Sequence, residues 1–500
     1  MLSRRGMIKL GAVVGVAAVV PVEQLVAGSG PAHPARSHPD LAHPHGHGIG
    51  PAPRGNAATA IPFSVPMPVP PVLHPVRRTN NADYYQLRIR QTQVELVPGL
   101  LTTVRTYGGH FPGPTIRATR GRATVITHVN ELGHNVAVHL HGGHVPAGED
   151  GHPIDVIAPG ASRTYHYPNK QRAASLWYHD HAHHLEAQNV YHGLSGAYLL
   201  SDQEESALPL PSGQYDVPLQ IRDARVEEDG TLTYTRASAR PQMLVNGKER
   251  PYFRVAARKY RFRLFNQSID RYLTLRLSDG AEFVQIATDG GLLAAAAPTT
   301  EVRLSAGERA EIVVDFSRYQ PGMSVYLQNS DALSTENPDV LRFDVGNPVP
   351  DFSRVPNRLS TIPPLPPATV ERHFVLDFDA DRGVHTINGL DFDPARVDVQ
   401  TRLGTTEIWT ITNAEAPIPP PNFHVSHNFH PHLVQFRVLD RDGVPPAPGE
   451  AGWKDTVFVP PGSTVRIAMT WSGHTGRYVY HCHQLPHSVE AMMGQIEITA

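Results

Sequence analysis

The chain of 500 residues has a single cysteine, Cys482, which rules out any intrachain disulfide and leaves the lone thiol free for other chemistry. It also lacks charge of one sign. A net charge of -3 excludes the broad basic or acidic footprint of a nucleic-acid or anionic-membrane binder. The basic residues are nearly all arginine, which we read as genome composition. The apolar run Leu10–Val20 is about eleven residues, short of the roughly 20 that a spanning helix needs. No long stretch has helical periodicity, which argues against a helical bundle. Methionine is scarce, at 8 residues, and histidine is absent from Gly193 to Arg372 although the chain holds 29. A stretch without histidine cannot carry an imidazole-bound metal, so its expected role is spacing and substrate framing.

What is present begins with an address. Ser3, Arg4 and Arg5 precede the short apolar run, and small residues at Val26, Ala27 and Gly28 allow cleavage. This is the pattern of a twin-arginine signal peptide over residues 1–28, for export to the periplasm or the medium. Residues 29–76 are rich in Pro, Ala, Gly and His and read as a disordered linker, with His33, His38, His43, His45 and His47 incidental. From Arg77 onward, short alternating runs such as Tyr84–Ile89 and Ala123–Thr127 are separated by Gly, Pro and Asn turns. The expected class is all-β, built as β-sandwiches. Length and compositional breaks give three units, over 77–205, 206–345 and 370–500, with a Pro-rich linker at 346–369.

The histidines fall into four clusters: His139 and His141; His179 and His181; His427, His430 and His432; and His481, His483 and His487 around Cys482, with Met492 beyond. Side chains two apart on a strand share a face, so each His-X-His pair can present two imidazoles to one site. Cys482 then points opposite to His481 and His483, and one strand can touch two metal sites over a short covalent path. His427 lies an odd number of residues from His430 and His432 and can serve the cysteine's side. Two His, one Cys and a distant Met form a blue-copper set, supplied by His427, Cys482, His487 and Met492. The remaining eight histidines suffice for a cluster of several copper ions. Zinc binds the same residue types, but its sites rarely combine eight imidazoles with one thiolate, and zinc moves no electrons.

Together the clusters resemble the four copper motifs of the multicopper oxidases. Further segments resemble the spore-coat laccase and bilirubin oxidase branch: Phe111–Thr115, His141–Gly143, Tyr178–His181, Val245–Gly247, Arg261–Arg263, Asp289–Gly291, Gly452–Thr456 and Gly476–Val479. The likeness runs from about Tyr84 to Thr499. It implies three cupredoxin-like domains and four copper ions. Type 1 copper would be held by His427, Cys482 and His487 with Met492 axial, type 2 by His139 and His430, and the type 3 pair by His141, His179, His181, His432, His481 and His483. It implies a laccase-like activity, in which a small phenolic, aminophenolic or bile-pigment-type donor is oxidised one electron at a time and dioxygen is reduced to water. The chain departs from relatives at Ser488, where they usually carry an acidic residue that helps deliver protons. Asp150, nine residues after His141, matches another acidic residue near the trinuclear cluster and is the candidate catalytic carboxylate, with Glu490 a possible stand-in at the departed position.

Other readings bear weighing. A cuprous-ion oxidase would suit a methionine-rich insertion, and none is present beyond Met492 and Met493. A copper nitrite reductase lacks the full trinuclear set and needs only one histidine beside the cysteine. A non-enzymatic electron carrier, copper store or coat component needs no eight-histidine cluster. The expected partners are the small reducing substrate and dioxygen, with no nucleic acid and no membrane, and the expected state is a monomer. His144, His152, His166, His183, His184 and His192 are expected to be surface or supporting groups, Met493 a core residue, and Asp180 structural.

Overall fold

A computed structural model of the chain describes residues 55–331, 333, 337–415 and 426–500. The expected signal peptide and the first part of the expected linker lie outside the described residues. Strands form where apolar and polar side chains alternate. In Ala82–Glu95, Tyr85, Leu87 and Ile89 are buried while Gln86, Arg88 and Arg90 face solvent. Strand Lys259–Asn266 is buried at nearly every position, as a strand covered on both faces must be.

The sheets come in pairs, and three stretches of chain repeat one topology. In each, a first strand pairs parallel with a second that pairs antiparallel with a third: Ala82–Glu95 with Ala123–Asn130 and Ser162–Tyr167, Asp216–Ala224 with Lys259–Asn266 and Arg309–Asp315, and Val370–Asp379 with Thr406–Asn413 and Thr464–Thr470. In each facing sheet a short strand lies parallel to the last strand of the unit, which pairs antiparallel with the strand before it: Gly113–Thr119 on Ser195–Ser201, Tyr252–Val255 on Asp339–Val345, and Val399–Arg402 on Met493–Thr499. The protein is all-β, with three cupredoxin-like β-sandwich domains. Each sandwich has its own core, for example Leu87, Ile126 and Leu176 in the first, Phe262, Ile312 and Phe343 in the second, and Trp409, Ile467 and Tyr478 in the third. Fully burying each such side chain stabilises by about 1.5–3 kcal/mol, so these interiors fix the strands that carry the histidines.

The structure corrects one expectation. Residues 55–76, assigned to the disordered linker, run extended along the folded body. Isolated bridges join Ala57 to Glu227, Pro66 to Tyr252 and Val72 to Thr115, and Ala58 and Met67 are buried, Met67 in the core of the second sandwich. Proline cannot donate to a ladder, so the segment shows no strand periodicity, yet single N–H groups between prolines still reach backbone acceptors. Among the described residues, no helix is long and apolar enough to cross a membrane.

Candidate metal centre

The first and third sandwiches build the centre from equivalent strands. Val138–His141 pairs with Ala174–Asp180 so that His139 stands opposite His179, and His427–Pro431 pairs with Gly476–His481 so that His430 stands opposite His481. The two halves meet face to face. The His139 ring stacks on His432 and the His141 ring on His430, each pair with centroids 3.9 Å apart. All eight histidines of the four His-X-His pairs are buried. Their ring nitrogens converge in three groups: His139, His141 and His430; His141, His179 and His483; and His181, His432 and His481. In the last two, each member comes from a different His-X-His pair, so the spacing of two serves one cluster by dividing each pair between neighbouring positions.

The hydrogen bonds select the donor atoms. His139 and His430 each give Nδ1–H to a backbone carbonyl, of Asp150 and Asp455, both at 2.6 Å. His179 and His481 do the same to the carbonyls of Asp180 and Cys482, at 2.9 and 3.0 Å. His432 Nδ1 lies 2.7 Å from Asp150 Oδ2. His141 is turned the other way, with Nε2 held at 3.0 Å from Asp455 Oδ1 and 3.1 Å from the Thr456 hydroxyl. The inward atoms have no such partners: Nε2 of His139, His179 and His430 and Nδ1 of His141 are buried without a hydrogen bond, and His483 has none at either nitrogen. Orphaned buried nitrogens are rare, and here they point at one another. Burial drives the rings toward the neutral form that ligates metals, His179 down to about 3 and His481 to about 4. An anchored outer nitrogen and a free inner one is the arrangement of a metal-binding imidazole. The residues therefore fit a cluster of metal ions.

Cys482 heads a second group. Its Sγ lies 3.6 Å from His427 Nδ1 and 3.9 Å from His487 Nδ1, and these nitrogens are 3.2 Å apart. Three softening donors face one point, and the fully buried Met492 shares their apolar core. Glu415 Oε1 accepts from His427 Nε2 at 2.7 Å and from His385 Nδ1 at 2.9 Å, which fixes the tautomer that frees His427 Nδ1. Burial alone would raise Glu415, but those two hydrogen bonds outweigh it and hold the carboxyl at about 2. Burial pushes the Cys482 thiol up to about 12, a preference that a bound cation reverses. The copper-type donor set of sulfur and imidazole is complete, and its cysteine is flanked in sequence by His481 and His483, one in each of two histidine groups.

The chain matches two multicopper oxidase family models, over residues 88–205 and 365–500. It is 36% identical to a laccase of Bacillus subtilis, with 87% of this chain and 98% of that protein aligned, and 35% identical to a bilirubin oxidase of Albifimbria verrucaria, with 87% and 81% aligned. A laccase from Pediococcus acidilactici superposes with a TM-score of 0.82 at 32% identity, covering 89% of this chain and 95% of that one.

The chain belongs to the multicopper oxidase family.

It is a laccase-like oxidoreductase that acts on a small-molecule donor with dioxygen, and its cofactor is copper, four ions of types 1, 2 and 3. In this multicopper oxidase the histidine-free middle domain does more than space the other two. Arg309 forms a bidentate pair with Asp455, both bonds 2.6 Å, and donates to the Ser175 carbonyl at 2.9 Å, so one buried guanidinium ties all three domains behind His141. Gly142 explains its own motif: a Cβ there would lie 2.4 Å from Asp455 Oδ2. The middle domain also frames the cysteine. Asn428, 3.5 Å from Cys482 Sγ through Oδ1, donates to Ser305 Oγ at 3.2 Å and to the Ala306 carbonyl at 2.8 Å. Asp180 sits where the third domain has Cys482, one residue after the equivalent histidine. Its carboxylate accepts from the N–H groups of Ala137 and Ala182 and from Asn189 Nδ2, as a structural residue does.

Sequence reasoning did not single out Asp455, Thr456, Arg309, Glu415 or His385. Asp455 and Thr456 lie in the segment Gly452–Thr456, but only their tertiary approach shows what they hold. Asp150 stands behind the cluster, bonded to His139 through its backbone carbonyl and to His432 through its side chain. Its carboxyl is raised to about 6 by burial, with His139 and His152 pulling it down. Burial raises the Glu490 carboxyl to about 7, with His385, beside the cysteine group, pulling it down.

Proposed function

We propose that His427, Cys482 and His487, with Met492 axial, hold the type 1 copper. His139 and His430 hold type 2, and His141, His179, His181, His432, His481 and His483 hold the type 3 pair. When bound, the coppers supply one-electron oxidation of the donor at type 1 and four-electron reduction of dioxygen to water at the trinuclear cluster. The observation that carries this reading is the placement of Cys482 between His481 and His483, which joins the two centres through a few covalent bonds. The protein's own part is to hold each ring: Asp150, Asp455 and Glu415 fix tautomers from outside, and burial keeps the imidazoles neutral.

The donors proposed are phenols, aminophenols and bile-pigment-type molecules, supported by the likeness to a laccase and a bilirubin oxidase. The reading extends to export by the twin-arginine route, a monomeric state with neither nucleic acid nor membrane as partner, and domain limits at 77–205, 206–345 and 370–500. Asp150 is proposed as the carboxyl that gives protons to the dioxygen half of the reaction. Oxygen consumption with a panel of phenol, aminophenol, bilirubin and cuprous ion tests the function. Oxidation of organic donors with four electrons delivered per dioxygen is expected. A protein that consumed oxygen only with cuprous ion would overturn the substrate assignment.

A further inference from the structure

Two of the trinuclear histidines, His181 and His483, keep an outward nitrogen buried without a hydrogen bond, and that of His181 faces a carboxylate. His181 Nε2 lies 3.3 Å from His481 Nε2, on the inner side with the other donors. Its Nδ1 is buried and makes no hydrogen bond. A neutral imidazole that gives Nε2 to a metal carries its proton on Nδ1, and that proton needs an acceptor. The atom facing it at 3.5 Å is Glu186 Oε1, itself buried and without a hydrogen bond. The same oxygen is 3.9 Å from His179 Nδ1. The other oxygen, Oε2, accepts from the Ser488 hydroxyl at 3.0 Å.

The fold makes this contact possible. Glu186 opens the short helix Glu186–Tyr191 that follows the second histidine pair, and Ser488 lies on helix Leu485–Glu490 after the fourth. The two helices hold equivalent places in the first and third domains and pack through Ala187, Val190, Tyr191 and Leu485. Glu186 and Ser488 are both fully enclosed between them. A small residue at 488 leaves room for the glutamate, while an acidic residue there would bring two carboxylates together out of water, where like charges and desolvation both oppose ionisation.

We propose that Glu186 is a positioning residue for the type 3 ligand His181, matched to Ser488, so that the carboxylate absent from position 488 is supplied by the first domain. The inference rests on the copper assignment above.

The test compares wild type, Glu186→Gln, Ser488→Glu and the exchange variant Glu186→Ser with Ser488→Glu, all loaded with copper. Each is measured for copper retained against a graded chelator, for the near-ultraviolet absorption of the coupled copper pair and for the blue absorption of the cysteine site. Wild type must show both bands first. If it shows neither, the copper assignment itself has failed. In Glu186→Gln the blue band should persist while the copper-pair band falls and copper at that site binds ~10–100-fold more weakly, the usual effect of losing a carboxylate behind a ligating histidine. Ser488→Glu should also lose the pair band, and the exchange should recover it. Unchanged copper affinity and pair absorption in Glu186→Gln would overturn the assignment. So would loss of both bands together, which marks a general scaffold role, and so would an exchange variant no better than the single variants.

Discussion

Asp150→Asn probes the residue on which two histidines of the cluster lean. His139 bonds the backbone carbonyl of residue 150 and keeps that bond in the variant, whereas His432 bonds Oδ2 and exchanges a charged acceptor for a neutral one. Burial raises the Asp150 carboxyl from 3.8 to about 6 in the copper-free protein. The sign follows from linkage. A carboxyl raised on folding adds stability while protonated, below about pH 4, and that contribution is lost as pH rises through about 6. A shift of roughly two units corresponds to about 3 kcal/mol. The amide carries a constant cost, since one of its atoms takes the place of Oδ1, which makes no hydrogen bond and lies 3.6 Å from His139 Nδ1, but that cost does not vary with pH. Copper-free wild type should therefore lose up to about 3 kcal/mol relative to Asp150→Asn between pH 4 and 7. The histidines that do not touch Asp150 titrate alike in both proteins and cancel in the difference, while His139, His152 and His432 act on the carboxyl and belong to the difference itself. The assay is denaturant unfolding of both copper-free proteins across that range. In the loaded enzyme, donor oxidation should survive in the variant while recovery of blue colour after the reduced protein meets dioxygen slows by roughly 10²-fold, the lower end of general acid catalysis. Parallel pH curves would refute the buried-carboxyl argument, and unchanged recovery would show that another group delivers the protons.

Cys482→Ser should abolish both the blue absorption and turnover, because the thiolate is the ligand that gives the colour; a blue, active variant would dismiss the type 1 assignment. Met492→Leu should raise the reduction potential of the cysteine site in a folded protein, measured by redox titration, whereas Met493→Leu should not; the reverse result would exchange their roles. Arg309→Met strips the partner from buried Asp455 and should destabilise by about 3–5 kcal/mol, seen in thermal unfolding, with copper lost more readily through His141. A variant as stable as wild type, with unaltered copper retention, would mean that the middle domain does not brace the cluster.

The sequence alone determined the ligand types and their grouping. Strand periodicity puts residues two apart on one face, so His-X-His pairs and a cysteine between two histidines are legible without coordinates. It determined the all-β class, because alternation and turn residues are local signals. It did not reveal that residues 55–76 pack against the body, since prolines erase the alternation by which a strand is recognised. Nor did it divide six of the histidines into His141, His179 and His483 against His181, His432 and His481; that depends on how two sandwiches far apart in sequence face each other. The groups that anchor the rings were likewise decided by tertiary structure: Asp455 meets His141 across 314 positions and Ser488 meets Glu186 across 302. Metal ligands are marked in a sequence because few residue types bind copper. Their supports are not marked, because any carboxylate or carbonyl suffices once the fold brings it within hydrogen-bonding distance.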